Sequence, residues 1–160
     1  MKEFDLNELK QRYRKLQEKY KLPEFEELNQ EFYIEKIAEF ETEFLTREVR
    51  RFVADKIYNY LRFIETILNP ANAPMFIFSV IKSMTLEDKK KFSDIYEKLA
   101  EIDLELIRLD VESSEKKDAE FINKVYASWG EIKKELIDVI GRLKNRKNGE
   151  EKDRGSGYFG

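Results

Sequence analysis

The chain contains no cysteine and no histidine. Disulfides, zinc fingers, iron–sulfur clusters and thiol catalysis are thereby excluded. A Ser-His-Asp triad is impossible, and so is a helical di-iron centre of the Glu-x-x-His type. Only an oxygen-ligated Mg²⁺ or Ca²⁺ site stays open, and no cofactor is expected. With three prolines and six glycines in 160 residues, there are few obligatory breaks in regular structure. Long hydrophobic runs are missing too. The longest, Met75–Ile81, is interrupted by Ser79 and is far too short to span a bilayer. The first residues, Met1-Lys2-Glu3-Phe4-Asp5, are charged rather than apolar, so no signal peptide is visible. Cytoplasmic residence without a membrane partner is the default expectation.

What is present is charge and apolar surface together. Hydrophobic residues make up 41% of the chain and charged residues 39%, the latter well above the roughly 25% of an average globular domain. Long helices with one face in water show this balance. Twelve Phe and eight Tyr offer enough burial to offset the ordering entropy. The net charge of −3 gives no global argument for nucleic acid. It is uneven, however. Residues 1–21 carry seven Lys/Arg against four Asp/Glu, and residues 22–45 one Lys against eight Glu. Neighbouring segments of opposite sign can fold back on each other; the alternative is an acidic docking face.

Apolar spacing predicts the elements. Leu6, Leu9, Tyr13, Leu16 and Tyr20 step by three and four, a heptad stripe predicting a helix over 5–21 with Asp5 as its N-cap. Pro23 ends it and suits the first turn of a short helix, 23–30. With no Pro and no Gly from Tyr33 to Leu68, the sequence predicts one unbroken helix roughly 50 Å long, its seam shifting phase at Leu45–Val49–Val53. Asn69–Pro74 is a turn. Met75-Phe76-Ile77-Phe78-Ser79-Val80-Ile81 reads as a short buried helix, a core plug in preference to a partner groove or dimer contact. Thr85 and Asp88 resemble a capping box ahead of the stripe Phe92, Ile95, Leu99, Ile102, Leu106, Leu109. Ser113 or Ser114 caps a last helix with the stripe Ile122, Val125, Trp129, Ile132, Leu136, Val139, Leu143. Gly130 and Gly141 inside it either permit close helix approach or are simply tolerated. From Asn145 the pattern stops.

The expected fold is all-α: an antiparallel bundle of long amphipathic helices over 1–147 and a flexible, disordered tail over 148–160. Unequal helix lengths leave one end unfilled in a monomer, and a homodimer would cover it.

Four features are candidates for function. The tail ends in Tyr158 and Phe159, adjacent aromatics on a charged tether, as in short docking peptides. Phe76 and Phe78 carry the densest apolar run. Arg142, Lys144, Arg146 and Lys147 form the cleanest basic cluster, open to nucleic acid or to a helix C-terminus. Arg47, Glu48, Arg51 and Asp55 share one side of a helix, as a buried network or a surface ladder.

Glu112-Ser113-Ser114-Glu115 and Glu135-Leu136-Ile137-Asp138 repeat a paired-carboxylate spacing. The second resembles a motif of all-α nucleotide pyrophosphohydrolases of the MazG kind. The resemblance implies Mg²⁺ held by carboxylates on facing helices against a triphosphate. Here both motifs fall on, or at the edge of, one helix, so no residue role is carried over. The leading expectation is a non-enzymatic protein-protein interaction or assembly module with a C-terminal docking peptide. A nucleic-acid-associated accessory protein and a Mg²⁺-dependent, pyrophosphohydrolase-like enzyme are the alternatives.

Overall fold

The computed structural model describes the backbone of residues 5–157, and the side chains of these except Lys147 and residues 150–157. The described residues are helical, without strands. In chain order they form α1 (Leu6–Tyr20), α2 (Phe25–Phe32), a 3₁₀ segment (Ile34–Glu39), α3 (Leu45–Leu68), a 3₁₀ turn (Pro70–Asn72), α4 (Met75–Lys82), α5 (Leu86–Val111) and α6 (Glu115–Gly157). The described residues divide into two compact units: residues 5–59 with 101–129, and residues 60–100 with 130–157.

In the first unit, Asp5 caps α1 through the Asn7 amide, and Lys21 closes it in the left-handed conformation, φ 55°. Leu9 and Tyr13 are buried from α1, and Phe25, Leu28 and Phe32 from α2. The Tyr13 hydroxyl donates to the Pro23 carbonyl at 2.6 Å, and its ring meets that of Phe25 edge-on at 5.4 Å. Burial pushes the Tyr13 phenol up, with Glu24 adding to the effect. Helix α6 is tied to α1 and α2 by side chains that reach across. Asn123 donates to the Tyr20 carbonyl at 3.0 Å, the Tyr20 hydroxyl donates to Glu115 at 2.7 Å, and the Trp129 indole donates to Glu31 at 2.8 Å. It is tied to α5 by Lys124–Glu105 at 2.7 Å.

The unbroken helix expected from Tyr33 to Leu68 does not form. Tyr33 takes the left-handed conformation, φ 56°, its amide donating to the Asn29 carbonyl to close α2. The Asn29 side chain then accepts the Glu35 amide at 2.9 Å and opens the 3₁₀ segment, which buries Ile34 and Ile37. Phe40 is extended, and Thr42 Oγ1 accepts the Phe44 amide at 3.0 Å just before α3. Short polar side chains thus supply local hydrogen bonds that compete with the helix. A continuous helix would also align Glu35, Glu39 and Glu43 at steps of four, with like charges repelling. The phase shift at Leu45, Val49 and Val53 sits in the first turns of α3, and all three are buried.

In the second unit the core is Leu61, Ile64, Ile67, Ile77, Phe92, Ile95, Leu99, Ile132, Leu136, Val139 and Leu143. The seam of α3 runs through Leu61 rather than Tyr60, which is only half-buried. The capping box at α5 is reciprocal: Thr85 Oγ1 accepts the Asp88 amide at 3.2 Å, and Asp88 accepts the Thr85 amide at 3.0 Å. Lys98 and Glu135 join α5 to α6 at 3.0 Å. The stripes expected on α5 and α6 are buried at every position named, and Ser114 caps α6 by accepting the Lys117 amide. Helix α6 continues to Gly157, past Asn145 where its apolar stripe stops. A Cβ added at Gly130 or Gly141 would meet nothing within 4 Å, so these glycines serve no close approach.

Candidate functional site

The most heavily buried ionic group in the first unit is one that sequence reasoning passed over. Arg50 is 4% exposed and Asp118 2%. Arg50 Nε lies 3.5 Å from Asp118 Oδ1, and Arg50 Nη2 lies 3.2 Å from the exposed Asp110 carboxylate. Ser113 Oγ donates to Asp118 at 3.3 Å and accepts from Arg47 at 3.2 Å. The cluster is under-satisfied. Thr46 Oγ1, Arg50 Nε and Nη1, and Asp118 Oδ1 are buried without a hydrogen-bond partner in the protein. Burial accordingly pushes the Asp118 carboxyl above its ordinary value in spite of Arg50. Of the four residues singled out from sequence, Arg47 joins this cluster. Arg51 and Glu48 make a surface pair at 3.1 Å instead, and Asp55 is exposed. Only the step of four from Thr46 to Arg50 on a buried face could have signalled the centre, and charge alone does not distinguish Arg50 from Arg51.

In the second unit the basic cluster at the end of α6 is drawn inward. Asp88 is wholly buried, and Arg146 Nη1 reaches its Oδ2 at 2.5 Å while donating to the Ser83 carbonyl at 2.8 Å. Arg142 lies 3.9 Å from Asp88 and 3.8 Å from Glu87. The Arg146 hydrogen bond holds the Asp88 carboxyl down at about 2. Two of the four cations are therefore committed to one carboxylate. Lys144 is exposed, and the Lys147 side chain lies outside the described residues.

The run expected to be a core plug is helical but not buried. Only Ile77 of α4 is in the core; Met75 is 89% exposed, Phe76 62% and Phe78 44%. A helix of eight residues has two turns, so a single inward position per turn leaves most of an all-apolar sequence facing outward. Four exposed lysines, Lys82, Lys89, Lys90 and Lys91, follow along the chain against one exposed carboxylate, Glu87.

The first unit also holds a groove of about 540 Å³ between α5 and α6. Leu104 and Leu109 line it beneath paired charges. Lys124 meets Glu105 at 2.7 Å, and Lys117 and Arg108 share Glu112 at 3.3 and 3.8 Å. Its lining carries three acidic and three basic side chains and so leaves no net sign for a charged substrate. Three of the four carboxylates of the pyrophosphohydrolase-like spacing are engaged in the same way: Glu112 as just described, Glu115 by Lys19 and Tyr20, Glu135 by Lys98; the fourth, Asp138, is exposed. Among the described residues no group of three or more carboxylates is placed to hold a metal ion, and no helix is long and apolar enough to cross a membrane.

Tyr158 and Phe159 lie outside the described residues. Comparison of the chain with family models, with curated proteins and with solved structures returns no match.

Proposed function

We propose that the protein is a non-enzymatic protein-protein interaction or assembly module, its helices packed as an antiparallel bundle. The ion pairs Glu105–Lys124 within the first unit, and Lys98–Glu135 and Asp88–Arg146 within the second, support antiparallel packing of α5 and α6. The observation that carries the function is the outward apolar face of α4, where Met75, Phe76 and Phe78 are exposed. Exposed aromatics of this density are the usual anchors of an interface. The partner that fits is a second copy of the chain. Its segment from Glu39 to Phe44 is acidic at Glu39, Glu41 and Glu43 and exposes Phe44 to 59%, the complement in charge and polarity of α4 and its lysines.

Sedimentation equilibrium tests this. Self-association at tens of micromolar, weakened by salt and abolished by Phe76→Ser with Phe78→Ser, is the expected result. A monomer at every concentration and ionic strength overturns it. The docking role of Tyr158 and Phe159 and cytoplasmic residence belong to the same reading and rest on the sequence.

A further inference from the structure

Lys56 projects from α3 among three aromatic rings of the first unit. Its Nζ lies 5.7 Å from the ring centroid of Phe32, 5.7 Å from that of Tyr33 and 5.5 Å from that of Trp129. The ammonium also donates to the Glu31 carbonyl. The Glu31 carboxylate in turn accepts the Trp129 indole N–H at 2.8 Å, which fixes one wall of the recess. The Phe32 and Trp129 rings stand 5.8 Å apart at 47° and are 2% and 3% exposed, whereas Tyr33 is 56% exposed. Two walls are therefore built into the core and the third is open to solvent. Tyr33 is placed there by a left-handed backbone conformation, φ 56°, which a bulky residue seldom adopts and which surrounding structure must hold.

Three ring faces and a backbone carbonyl oxygen surround one cation here, a setting suited to recognition of a methylated ammonium group. The negative faces of the rings attract the charge, and the methyl groups fill the space between them. A primary ammonium is the weaker occupant, being compact and strongly hydrated. We propose that Phe32, Tyr33 and Trp129, with Glu31, form a binding site for a methylated alkylammonium ion, and that the chain closes it with its own Lys56. A ligand of this class binds by displacing the lysine through the open Tyr33 side.

Trp129 is the chain's only tryptophan, so its emission reports occupancy directly. The probes are tetramethylammonium and tert-butanol, which is similar in size but neutral. Lys56→Ala is expected to bind tetramethylammonium saturably, at least about tenfold more tightly than the wild type, with tert-butanol leaving the emission unchanged. Lys56→Gln keeps most of the stem and removes the cation. It is expected to show the same preference, and it carries the test if the alanine variant does not fold. A folded variant that ignores tetramethylammonium, or responds equally to tert-butanol, overturns the proposal.

Discussion

Arg50 and Asp118 face each other in the first unit at 3.5 Å, each almost wholly buried and each with a polar atom lacking a hydrogen bond. Removing one partner of such a pair strands the other charge, whereas replacing both with apolar groups does not. Arg50→Met is expected to lower stability by about 3 kcal/mol at neutral pH. The double variant Arg50→Met with Asp118→Leu is expected to lie within about 1 kcal/mol of the wild type. Urea unfolding at unchanged slope measures both. A double variant no better than the single one would show that the pair is not the source of the loss.

Asp118 and Asp88 should respond to pH with opposite signs. Burial raises the Asp118 carboxyl above 3.8. The folded state therefore holds that proton when the unfolded state has lost it, and this contribution to stability falls as pH rises through the raised value. Asp88 is lowered from 3.8 to about 2, so its contribution is present above 3.8 and is lost as pH falls toward 2. The wild type should lose stability over that acid interval, and Asp88→Asn should flatten the loss at the cost of about 3 kcal/mol at neutral pH. Thermal unfolding across pH 2 to 5 decides it.

Helix α4 offers a contrast within eight residues. Ile77→Ala, at a position 3% exposed, should cost about 3 kcal/mol. Phe76→Ser should change stability by less than about 1 kcal/mol, because its ring is 62% exposed. Equal losses would mean that Phe76 is covered in solution.

Gly141→Ala should stabilise the protein by up to about 1 kcal/mol, since helix propensity improves and the new methyl meets nothing within 4 Å. A loss measured by the same urea unfolding would indicate a contact in solution at that face.

Much of the helical order was legible in the sequence because it rests on spacing. The stripes of α5 and α6, the N-cap at Asp5 and the Thr85–Asp88 box all follow from residues within a few turns of one another. The failures have a common physical origin. The breaks at Tyr33 and at Phe40–Phe44 depend on Asn29 and Thr42 respectively bonding to backbone amides, and absence of Pro and Gly does not reveal that competition. The exposure of Phe76 and Phe78 depends on what lies beside α4. Arg50 and Arg146 find Asp118 and Asp88 at sequence separations of 68 and 58 residues, which no local pattern encodes. The aromatic recess around Lys56 was illegible for the same reason, with Phe32 and Trp129 brought together from distant helices.

The interruption between Glu39 and Leu45 has a further consequence. Glu41, Glu43 and Phe44 are exposed on a segment without helical hydrogen bonding of its own, the combination a protease needs to bind and cut a native chain. A glutamate-specific protease should nick here first and yield two fragments. One carries α1, α2 and the 3₁₀ segment; the other carries α3 to α6. The buried side chains of Phe32, Ile34 and Ile37 on the first fragment, and the Trp129–Glu31 bond across the cut, should keep the halves associated without a covalent link. The protein is thus a natural candidate for splitting into two complementing pieces whose reassembly can be switched by dilution.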